Sequence, residues 1–178
     1  MTDAVIANDR YSAVARFLHW SMALLILYAA LSIFIKDELP RGMIRDFLST
    51  THRTAGALVL ILLVVRIIWR VFHAPPPLPT SMTPMEIRAA HLAHLSLYVL
   101  MALVTIAGVT VTMLRGSTID FGFFQIVSPW PADRAASKPV KEAHEILAWI
   151  LFTGIGAHIA ATIWHQAIRR DNILARMR

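Results

Sequence analysis

The chain has 178 residues, 57% of them hydrophobic and only 16% charged, and it contains no cysteine. Soluble domains run nearer about 45–50% apolar and a quarter charged, so the composition excludes an ordinary soluble domain. The missing thiols exclude disulfides, thiolate metal sites, thiolate-held iron–sulfur clusters and a cysteine nucleophile, while the net charge of +6 has too little soluble surface around it to imply a nucleic-acid partner. Any metal chemistry must therefore use the eight histidines, the methionines or the carboxylates.

In chain order, the first apolar run covers 17–35, without a formal charge between Arg16 and Lys36. It is too long for the apolar core of a signal peptide, carries His19 and lacks a small-residue cleavage site, so it reads as a retained helix over 14–36. Residues 36–46 are polar and include Pro40 and Gly42, which indicates a turn or a brief surface helix. The second run is uncharged over 54–65 and continues through Arg66 to Arg70. A span needs about 20 mostly apolar residues, so this helix takes in 47–53 at one end and lets Arg66 snorkel at the other, giving 44–72. The prolines at 75, 76, 77 and 79 then force an extended link.

Thr83, Pro84 and Glu86 carry the marks of a helix start, with Thr83 as N-cap, proline at the first helical position and a capping box. A charge-free run over 89–114 follows, giving a third helix over 84–114. The longest loop, 115–138, contains Phe121, Phe123, Phe124 and Trp130, which are expected to lie against the bilayer interface. The fourth helix is expected over 139–169. The whole chain, 1–178, then reads as one all-α domain, an integral membrane antiparallel four-helix bundle in contact with lipid.

With four spans, both termini and the proline link share one face. Nine Lys and Arg side chains fall on that face and eight on the other. The termini carry five of the nine close to helix ends, which favours cytoplasmic termini under the positive-inside rule.

Ionisable residues inside a span are costly, so each is a functional hypothesis by default. His144 and His158 are fourteen residues apart. At about 100° and 1.5 Å per residue they share one helix face, about 21 Å apart along the axis. Antiparallel topology brings His19 to the level of His158 on the terminal side, and His52 to the level of His144 on the opposite side. Two imidazoles from different helices at each level are what bis-histidine ligation of a haem iron requires, so the pattern implies two haems stacked across the membrane. A lone histidine near a helix end is more often an interfacial residue; four that sort into two level-matched pairs carry the argument. His158 lies much farther from Arg169 than His19 does from Arg16, so the fourth helix must project beyond the bilayer, or 164–168 must lie among the headgroups.

Haem propionates need cationic partners near the surface, and Arg16, Arg53, Arg66 and Lys141 stand at suitable heights. Lipid phosphate would suit each of them equally. Gly56, Gly108, Gly154 and Gly156 would admit either a flat macrocycle or a neighbouring helix. His91 and His94 share a helix face and read as an interfacial pair, or one that hydrogen-bonds a propionate. His73, beside the prolines, reads as a surface residue. His165, with Trp164 and Gln166, could line a quinone pocket. His144–Glu145 fails the zinc-protease pattern because Ala148 stands where the second histidine is needed.

Taken together, Tyr11–Ser12, Phe17–Leu18–His19–Trp20, His52 through Gly56, Val65–Arg66, His91 through His94 with Tyr98, His144–Glu145, Ala157–His158 and Asp171–Asn172 resemble the bacterial cytochrome b561 family. The resemblance covers nearly the whole chain. It implies a di-haem b protein of the inner membrane whose axial ligands map onto His19, His52, His144 and His158. It also implies electron transfer with the quinone pool, as an oxidoreductase that takes electrons from superoxide at the outer face and passes them to ubiquinone. Arg53 departs from the neutral residue expected beside the ligand. Two further readings stand beside this one: an electron-transfer subunit serving a dehydrogenase or other redox protein, and a non-redox membrane binding protein.

Overall fold

A computed structural model of the chain describes residues 10–178. Four long helices dominate: α1 (Ala13–Glu38), α2 (Met43–Phe72), α3 (Pro84–Leu114) and α4 (Arg134–Trp164). Each is long and apolar enough to cross a membrane. α1 packs along α2, α3 along α4, and the two hairpins meet chiefly through α2 and α3. The side chains of Met22, Val59 and Leu63 form the tightest apolar cluster, closed by Tyr98, Met101 and Ala102 from α3.

Helix ends follow local chemistry. Ser12 caps α1 by accepting from the Ala15 amide at 3.3 Å. At its other end the Lys36 carbonyl accepts from the Leu39 N–H, and Arg45 Nη1 reaches back from α2 to the carbonyls of Lys36 and Leu39, at 2.9 and 2.7 Å. The α3 capping box is present in both halves, Glu86 N–H to Thr83 Oγ1 at 3.3 Å and Thr83 N–H to Glu86 Oε2 at 2.6 Å.

α4 starts five residues before the expected position, at Arg134. Asp133 is the reason: its side chain accepts from Ala136 N–H at 2.9 Å and its carbonyl from Ser137 N–H at 3.1 Å. Pro139 is thereby carried inside the helix instead of opening it. The long loop also contains a short antiparallel ladder, β1 (Ile119–Asp120) with β2 (Gln125–Ile126). Asp120 closes its turn by accepting from Gly122 N–H and Gln125 Nε2, and Gly122 supplies the positive φ of 85° that the turn needs. Ile119, 2% exposed, anchors this hairpin against Ala57 and Met113.

After Trp164 the helix widens into one π-type turn, His165–Arg169, and a 3-10 turn follows at Ile173–Met177. The chain end lies across the terminal face. Tyr11 N–H donates to the Arg176 carbonyl, Trp20 Nε1 to the Met177 carbonyl at 2.9 Å, and Arg16 to the Arg178 carbonyl.

Candidate metal centres

The histidines separate into two clusters. On the side of the α1–α2 turn, His52 of α2 faces His144 of α4, ring centroids 6.3 Å apart and planes at 87°. On the terminal side, His19 of α1 faces His158 of α4, with centroids 6.4 Å apart and planes at 68°. Two metal–imidazole bonds of about 2.0–2.1 Å, with a ring radius of about 1.2 Å on each side, call for a centroid separation of about 6.4 Å. Both pairs meet that requirement.

Ring orientation is fixed on one side of each imidazole in the first pair. His52 Nδ1–H donates to the Ala29 carbonyl at 2.9 Å, and His144 Nδ1–H to the Val104 carbonyl at 2.8 Å. Each bond commits Nδ1 as the protonated nitrogen and leaves the Nε2 lone pair free for a metal, the usual hydrogen-bonding arrangement of a metal-bound histidine. Gly108 makes the second contact possible: a Cβ there would stand 3.0 Å from His144 Cε1 and 3.2 Å from Nδ1. His144 lies over the bare backbone of α3.

No group of three or more His, Asp or Glu suited to a bare ion exists among the described residues. Two imidazoles alone do not cage a free metal, whereas a macrocycle that brings its own four equatorial nitrogens needs only such a pair. The donor set fits haem.

Arg53 stands beside His52, half-buried, with Nη2 donating to Thr50 at 3.0 Å. Its buried Nε has no partner, a cationic donor suited to a propionate. Arg66 donates through Nε to Tyr98 Oη at 2.8 Å. With Arg70 and Tyr98 it lines an open cavity of about 490 Å³ that the proline link also borders. The other two candidate cations are engaged by the protein. Lys141 pairs with Glu145, and Arg16 binds the chain end.

The structure also divides the His91–His94 pair. His91 is exposed, while the ring of His94 lies 5.6 Å from that of His158, within the terminal cluster. Sequence spacing put both on one face but could not fix how that face turns toward α4. His73, read as a surface residue, is exposed and stacks on Trp69 at 3.7 Å. His165 is buried, and its Nδ1 meets Asp171 Oδ2 at 2.6 Å.

The family model for prokaryotic cytochrome b561 matches residues 10–178. Among curated proteins, the chain is 29% identical over 173 residues to a Yersinia pestis protein named probable superoxide oxidase CybB, covering 96% of each. It is 28% identical to cytochrome b561 homolog 1 of Escherichia coli (strain K12), covering 95% of this chain and 97% of that one. Cytochrome b561 homolog 2 of the same strain is 29% identical, with 95% and 91% covered. The chain belongs to the prokaryotic cytochrome b561 family: it is a multi-pass bacterial membrane protein of electron transfer, of a kind built around haem b.

Proposed function

We propose that the protein oxidises superoxide at the face of the α1–α2 turn and reduces ubiquinone at the terminal face, with its termini in the cytoplasm. The carrying observation is the two imidazole pairs at opposite levels, His52 with His144 and His19 with His158. Each pair would hold one haem b, which when bound supplies a one-electron iron couple at its level. The overall reaction consumes two superoxide anions, one quinone and two protons, and yields two dioxygen molecules and one quinol.

Superoxide is a small anion, and steering it requires local positive charge. On the outer face several carboxylates are occupied by the protein itself. Asp37 pairs with Lys36 and Arg45, Glu145 with Lys141, Asp120 serves the hairpin turn and Asp133 caps α4. Arg41, Arg53, Arg115 and Lys138 have no carboxylate partner among the described residues. Arg53, whose buried Nε is unpartnered, would secure the outer haem, and Arg66 with Tyr98 the inner one. The name of the Yersinia pestis relative supports the choice of superoxide. His165, at the cytoplasmic end of α4, would contact the quinone.

The test is superoxide-driven reduction of a short-chain ubiquinone by the purified protein, with quinol measured directly. Quinol at half the superoxide consumed is the expected yield. A second reading, delivery of electrons from a docked redox protein, rests on the exposed aromatics of the loop: Phe123 is 88% exposed, and Phe124 and Trp130 are also exposed. Haem reduced by superoxide only at the uncatalysed background rate, with no quinol formed, would favour that reading.

A further inference from the structure

The backbone departs from regular geometry most sharply just beyond α4, and the departure serves one contact. The π-type turn at His165–Arg169 is followed by two non-glycine residues in left-handed conformation, Arg170 (φ 55°) and Asn172 (φ 56°). These flank Asp171. The His165 carbonyl accepts from both Arg170 N–H and Asp171 N–H, so the chain doubles back on itself. The result is a carboxylate folded onto the imidazole six residues before it, Asp171 Oδ2 to His165 Nδ1 at 2.6 Å, with side chains only 5% and 11% exposed. π-turns and left-handed non-glycine residues are costly and gather where function needs them.

Two atoms of the pair stay uncommitted. Asp171 Oδ1 is buried without a partner, and His165 Nε2 has no hydrogen bond among the described residues. Nearby, Glu86 of α3 and Arg169 lie 3.6 Å apart as an ion pair, and Arg170 directly precedes Asp171 in the chain. Trp164 packs edge-on to the imidazole at 4.9 Å.

We propose that Asp171 makes His165 the proton donor in quinone reduction, an inference that rests on the quinone-reducing reading above. Asp171 is a positioning residue. Ionised, it accepts from His165 Nδ1–H and stabilises the imidazolium, which presents its second proton on Nε2. That proton passes to a quinone oxygen as the quinone gains its electrons, and neutral imidazole remains, still bonded to Asp171. Water at the cytoplasmic surface restores the proton, and two such transfers complete the quinol.

The experiment compares the haem-loaded wild-type protein with Asp171→Asn, which keeps shape and removes charge. Three readouts are taken: quinol formation from short-chain ubiquinone, its solvent deuterium isotope effect, and oxidation of the reduced protein by ferricyanide, which needs no proton. Asp171→Asn should form quinol at least about tenfold more slowly, as expected for a weakened general acid. Its isotope effect should rise, its ferricyanide rate and haem content should stay unchanged, and Asp171→Glu should recover part of the rate. Wild-type quinol kinetics in Asp171→Asn overturn the proposal and leave the quinone reading intact. Loss of haem, or an equal fall in the ferricyanide rate, makes Asp171 a structural residue and overturns it as well. If wild-type protein forms no quinol, the quinone reading itself falls, and this inference with it.

Discussion

On the proposed two-haem reading, Gly108→Ala probes the close approach of α3 backbone to the His144 imidazole. The added Cβ would lie 3.0 Å from His144 Cε1 and 3.2 Å from Nδ1, so the ring must retreat by several tenths of an ångström. The Val104 carbonyl sits one turn before Gly108, and the retreat stretches the 2.8 Å bond that sets the His144 tautomer. Two effects oppose each other. Alanine in mid-helix stabilises α3 by about 0.5–1 kcal/mol relative to glycine. Loss of the outer-shell bond to a metal-bound histidine lowers affinity about 10–100-fold, or roughly 1.4–2.7 kcal/mol. The fold is therefore expected to survive while the outer haem is weakened. Pyridine haemochrome assay should fall from two haems per chain toward one, and titration with dithionite should keep the component assigned to His19 and His158. A full haem complement with an unchanged spectrum in Gly108→Ala and in the bulkier Gly108→Leu would refute the close approach of His144 to α3.

Changing His52 or His144 to alanine should remove one haem and leave the other, and changing His19 or His158 should do the converse; the reduced-minus-oxidised spectrum distinguishes the two outcomes. Arg53→Gln keeps a hydrogen-bond donor but deletes the charge beside the outer pair. A redox titration should find the outer haem's potential lowered and the inner one unmoved. Thr83→Ala removes a cap and is expected to cost about 1 kcal/mol, seen as a lower midpoint of thermal unfolding in detergent with haem content unchanged.

Features encoded by neighbouring residues were readable from the sequence; those that depend on distant packing were not. Thr83, Pro84 and Glu86 act within one turn, so their capping box could be foreseen and is present. Asp133 competes with Pro139 to open α4, and a rule that places proline first favours the wrong one. The β1–β2 ladder holds only two residues per strand, too few to show an alternating pattern. His19, His52, His144 and His158 could be paired because helix phase and antiparallel order alone set their levels. His94 could not be assigned to the terminal cluster, since the rotation of α3 about its axis depends on packing with α4. The folding of Asp171 onto His165 had no local signal beyond Asp171–Asn172, because neither Arg170 nor Asn172 is a glycine that would mark a left-handed turn in the sequence.

Both histidines of α4 find their partners on the opposite hairpin, in α1 and α2. This has a consequence for biosynthesis. His19 and His52 enter the membrane with the first hairpin, yet α3 and the long loop must be made before either imidazole meets its partner on α4. Neither centre can close ahead of the other as the chain emerges, for both await the same final helix. A ribosome-stalled chain ending before α4 would lack His144 and His158, however completely its first three spans had inserted, so on the proposed two-haem reading the timing of cofactor capture is written into the order of the helices.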